Sequence, residues 1–107
     1  MLVAVALFEI QIEDAQSLKD KRMVVKSLRD KLRAHFAISA AEVGLQELHQ
    51  RGRLAISFIA LDGRGADSQF EKIQNFIETH AEGRVTGWVS EKLPFDDALD
   101  FGGSDDQ

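Results

Sequence analysis

The chain has 107 residues, no cysteine and a formal net charge of −5. This length fits one domain, and the absence of thiols excludes both a disulfide framework and a thiolate metal site. The apolar opening run breaks at Glu9, too early for a membrane span, and the start lacks the leader pattern of a signal peptide, so a cytoplasmic protein is expected.

Residues 2–13 read as a strand. The run is apolar to Phe8, and then Ile10 and Ile12 alternate with Glu9, Gln11 and Glu13. Ser17 follows as an N-cap, with Asp20 three residues on to close a capping box. The helix it opens spans residues 17–36, with Leu18, Val25, Leu28, Leu32 and Phe36 on one face. Residues 38–46 form a weaker strand with Gly44 inside it, and residues 53–61 a strong, apolar one. The segment DGRGAD reads as a turn. Its Gly63-Arg64-Gly65 falls short of a dinucleotide fingerprint, because the third glycine is missing. A second helix starts at Asp67 or Ser68 and runs to His80, with Phe70, Ile73 and Ile77 inward. Residues 84–93 form the last strand and Pro94 stops it.

The order strand, helix, strand, strand, helix, strand predicts an α+β fold. It is a ferredoxin-like βαββαβ sandwich, with two helices on one face of a four-stranded antiparallel sheet. In that topology strands one and three are central, and these are the two most apolar strands here. The expected domain is 1–93. Residues 94–107 form an acidic tail carrying five Asp and no Lys or Arg, read as a mobile, solubilising segment.

Charge is unevenly placed. Lys19, Arg22, Lys26, Arg29 and Arg33 recur at spacings of three and four, which puts them on one helix face. Such a stripe matches a phosphate backbone, and RNA is the expected partner. The helix start, with Ser17 and Lys21, is a candidate anion site, although Ser17 and Asp20 compete for the same free N–H groups. The sheet offers a further surface. If Phe8, Ile10 and Ile12 face the helices, then Val3, Val5 and Leu7 face outward, joined by Ile59, Leu61 and Trp88. An apolar patch of this kind marks an interface, and a homodimer or a partner protein is expected to cover it, with Trp88 near the contact. His35, His49 and His80 lack metal-ligand spacing. No nucleophile elbow or phosphate-binding loop is found, so neither a catalytic residue nor a metal or cofactor is assigned.

The block SLKDKR, the basic helix ending RAHF, and ISAAEV resemble the YlxP-like family of small bacterial proteins of unknown function. The matching positions are Ser17, Leu18, Lys19, Lys21, Arg22 and Glu42. The resemblance covers residues 1–93 and implies a ferredoxin-like fold. Genes of the family commonly lie among those for translation initiation and ribosome maturation. This implies association with ribosomal RNA or a ribosomal assembly intermediate, and it implies no catalytic residues. The chain departs from the family pattern at Gly44, at His49 and in the acidic tail. The expected function is therefore RNA binding through the first helix. The alternatives are a dimeric interaction module using the open sheet face, and an anion binder or enzyme at the helix start.

Overall fold

The computed structural model describes residues 1–95; the Asp-rich segment 96–107 of the expected tail lies outside the described residues. The elements run β1 (Leu2–Gln11), α1 (Leu18–His35), β2 (Ser39–Gly44), β3 (Arg51–Ala60), α2 (Gly63–His80) and β4 (Arg84–Pro94). The strands form one antiparallel sheet in the order β2-β3-β1-β4. This is the expected ferredoxin-like α+β arrangement, with β1 and β3 in the centre.

The core lies between the sheet and the helices. Burial alternates along β1: Leu2, Ala4, Ala6, Phe8 and Ile10 are buried, while Val3, Val5 and Leu7 are half-buried on the other face. Val25, Leu28 and Leu32 of α1 and Ala66, Phe70, Ile73 and Ile77 of α2 close the core from the helix side. No helix among the described residues is long and apolar enough to cross a membrane.

Element ends depart from the sequence expectation in instructive ways. The Asp20 N–H donates to Ser17 Oγ at 3.1 Å, so Ser17 is the N-cap as predicted. The Asp20 carboxylate does not close the box on Ser17; it accepts from the Gln16 N–H at 3.1 Å, one residue further out. Helix α2 begins at Gly63, several residues before the predicted start. Asp62 caps it by accepting from the Gly65 N–H at 2.7 Å, and buried Ala66 anchors the first turn. A cap and one core contact outweigh the cost of two helical glycines, about 1 kcal/mol each. Gly63-Arg64-Gly65 is thus a helical turn and not a loop. At the other end, β4 runs through Pro94, and the Phe95 N–H donates to the Met1 carbonyl at 3.0 Å. The last strand therefore runs one residue past its predicted end at residue 93.

Two irregularities decide which side chains share a face. On β4, Val85 lies opposite Ile10 and Trp88 opposite Phe8, with a register shift between them. On β2, Glu42 lies opposite Leu54 and Gly44 opposite Arg53, again with a shift. An extra residue of this kind breaks the two-residue period.

Candidate nucleic-acid interface and open sheet face

Helix α1 presents three surfaces. Its apolar face enters the core. One flank meets α2, where the His35 ring stacks on Phe76 with centroids 4.6 Å apart. The opposite flank overhangs β2, where an Arg33 Nη2 donates to the Ala40 carbonyl at 2.6 Å. The basic stripe lies on this second flank. Lys19, Arg22 and Lys26 are exposed, and none has a hydrogen-bond or ion-pair partner among the described residues. Arg29 and Arg33 differ. The Arg29 guanidinium donates to Asp30 Oδ1 at 3.1 and 3.2 Å, and Arg33 is committed to β2. The five predicted residues are thus brought to one flank: Arg29 is ion-paired with Asp30, exposed Arg33 keeps its charge while one guanidinium nitrogen is held by a neutral carbonyl, and the N-terminal three have no partner among the described residues.

The candidate anion site at Ser17 and Lys21 is not formed. Lys21 is completely buried, and its ammonium donates to Glu42 Oε2 at 2.8 Å and to the Leu45 carbonyl at 2.9 Å. Its stem runs through the core edge, and its charge points into β2 and the loop behind it, away from the helix start. Ser17 Oγ is occupied by the Asp20 N–H. Leu45 has a left-handed backbone, with φ 57°, which costs a branched residue about 1–2 kcal/mol. The turn it makes supplies the carbonyl that Lys21 reaches.

The open sheet face carries Val3, Val5, Leu7 and Ile59, as the alternation predicted, and Ile59 and Leu61 are strongly exposed. Trp88 is not among them. Directly opposed residues on neighbouring strands point to the same face, and Trp88 is opposed to inward-facing Phe8. Its ring stacks on Phe8 at 5.5 Å and meets Phe70 edge-on at 6.0 Å. The bulge after Val85 puts Trp88 on the helix side and sends Val89 outward. Val89 and Leu93 take the place predicted for Trp88, opposite Leu7 and Val3. The same register sends Glu91 outward between them, opposite Val5, so the sequence VSEKL carries no alternation that would have identified them.

At the far end of the same face, Glu9 bridges two arginines. Arg53 donates to Glu9 Oε2 at 2.6 and 3.0 Å, and Arg51 donates to Oε1 at 2.6 Å. The hydrogen bonds from Arg53, and then from Arg51, hold the Glu9 carboxyl below its ordinary range. Two histidines take structural positions: His35 and His80 end the two helices and both stack on Phe76, at 4.6 and 4.0 Å. Among the described residues no three His, Asp or Glu side chains gather in a way that would hold a metal ion.

Residues 3–89 match the model of a family described as "Protein of unknown function (DUF503)". A relative from Bacillus subtilis (strain 168), named "Uncharacterized protein YlxP", is 28% identical over 81 residues, which is 76% of this chain and 88% of the relative.

Proposed function

The chain belongs to this family of proteins of unknown function, DUF503, and from that premise we propose that it binds RNA through the outer flank of α1, with ribosomal RNA or a ribosomal assembly intermediate as the target. The observation that carries the reading is the set of Lys19, Arg22 and Lys26. They are exposed, share one flank, and are free of internal partners among the described residues. On this flank Arg29 is ion-paired and Arg33 is held to a backbone carbonyl, so the stripe's cations without a partner among the described residues lie in the first half of the helix. Uncompensated cations repel one another, and a phosphate backbone relieves that repulsion while releasing counterions. The rise of about 1.5 Å per residue spreads the three over roughly 10 Å, enough to meet successive phosphates. The reading entails a cytoplasmic, non-enzymatic protein.

The test is binding to single-stranded and ribosomal RNA across a salt series. Three phosphate contacts on a single strand give a log–log slope of about −2. The triple variant Lys19→Glu, Arg22→Glu, Lys26→Glu should lose RNA binding and co-purification with ribosomal subunits. It should fold normally, since these exposed side chains make no hydrogen bond or ion pair among the described residues. Binding of the variant equal to that of the parent would reduce the stripe to a solvated helix face.

A further inference from the structure

The open face of the sheet has a direction. Reading along β1 and β3, Val3 lies beside Ile59, Val5 beside Ser57, Leu7 beside Ala55, and Glu9 beside Arg53. One end is aliphatic and the other is an ion-paired cluster. In the two middle rows a larger side chain sits beside a smaller one, and in the last a carboxylate sits beside its opposite charge.

We propose that this face binds a second copy of this chain, across a twofold axis that runs parallel to the strands between β1 and β3. This operation sets β1 of one copy over β3 of the other without changing level. Leu7 then lies over Ala55 of the second copy and Val5 over its Ser57, so large residues meet small ones in both directions. Val3 and Ile59 meet as aliphatic partners. Glu9 lies over Arg53 of the second copy and Arg53 over its Glu9, so the pair that is satisfied within each copy is extended across the contact.

The outer strands agree. Val89, opposite Leu7 on β4, falls over Ala41 of the second copy's β2, because Ala41 is opposite Ala55 on β3. Pairing between β2 and β3 begins only at Ser39, and beyond it a groove of 510 Å³ opens beside Ile38 and Ile59. Leu93, at the level of Val3, falls over that groove.

The other in-plane twofold, perpendicular to the strands, is disfavoured. It would place Val3 over Glu9 of the second copy and bury charged groups beneath aliphatic ones. Area also selects a whole second sheet as the occupant. Strands about 4.8 Å apart and a rise of about 3.3 Å per residue give a face of roughly 500 Å² in projection, and more as accessible surface. A standard interface uses about 800 Å² per partner, so a single added peptide strand would leave most of the face wet. Two twisted sheets pack at about −30°, so the central β1–β3 rows keep the closest register. Both helices lie on the far side of the sheet, so the proposal does not rest on RNA binding.

The absence of cysteine from the chain makes the test clean. Sedimentation of the parent over a concentration series should show a dimer. Leu7→Glu, whose side chain points away from the helices, should raise the dissociation constant by on the order of 100-fold, with an unchanged circular dichroism spectrum. Orientation is read by oxidising mixtures of single-cysteine proteins. Leu7→Cys mixed with Ala55→Cys should give the mixed disulfide, and Val3→Cys mixed with Glu9→Cys should not. The crosslinks decide the matter if Leu7→Glu does not fold. A parent that is monomeric at every concentration, or a dimer that links Val3→Cys to Glu9→Cys, overturns the proposal.

Discussion

The Lys21 ammonium lies 2.8 Å from a carboxylate oxygen of Glu42, and none of the lysine side chain reaches solvent. The pair joins the core face of α1 to the helix side of β2. The ammonium also holds the Leu45 carbonyl at 2.9 Å, in a turn whose backbone is left-handed at φ 57°. One lysine thereby fixes the helix, the edge strand and the strained turn that follows it.

Lys21→Met keeps the stem and removes the charge. Glu42, which is 20% exposed, and the Leu45 carbonyl would lose their donor. Partial exposure of Glu42 moderates the loss, and the expected cost is about 2–4 kcal/mol in urea melts. Glu42→Gln should cost at least as much, because it leaves the fully buried ammonium on neutral acceptors with no counter-charge. A Lys21→Met protein as stable as its parent would show that the ammonium contributes no net stability.

Trp88 is a core residue of the helix side, stacked on Phe8 and meeting Phe70. Trp88→Ala should therefore lower stability by about 2–4 kcal/mol, as for other large aromatic truncations at partly buried sites. It should leave association through the open face unchanged. Chemical melts and sedimentation of the same protein separate the two effects. Weakened association with unchanged stability would return Trp88 to the open face.

Glu9 supplies a pH dependence of known sign. Its carboxyl is lowered from the ordinary value of 4.5 by Arg53 and Arg51. The folded state thus binds fewer protons than the unfolded chain just below that value. The stabilisation is fully present above about pH 4.5 and is lost as the pH falls toward the lowered folded value. Glu9→Gln should flatten this acid limb of the stability profile, measured by urea melts from neutral to acid pH. An identical limb in the variant would assign acid sensitivity to other carboxylates.

Periodicity and capping made much of this protein legible from its residues alone. The alternation of β1 determined which of its side chains enter the core, because a two-residue period leaves no choice once one face is buried. Ser17 marked the start of α1 because an unpaired helix N–H needs an acceptor. The spacing of Lys19, Arg22 and Lys26 placed them on one flank because a helix repeats every 3.6 residues. Tertiary structure alone decided the rest. An extra residue in β4 reversed its period and carried Trp88 inward and Val89 outward; Gly87 beside it, like Gly44 in β2, marks a weak point in the strand, but a glycine alone does not say which residue is the extra one. The early start of α2 came from an Asp62 cap and an Ala66 core contact that outweigh two glycines. The division of the basic residues into free and committed charges depended on partners distant in the chain: Glu42 and Leu45 for Lys21, and Ala40 for Arg33. Charge is a property of sequence, but whether that charge is free to meet a partner is set by what the fold places beside it.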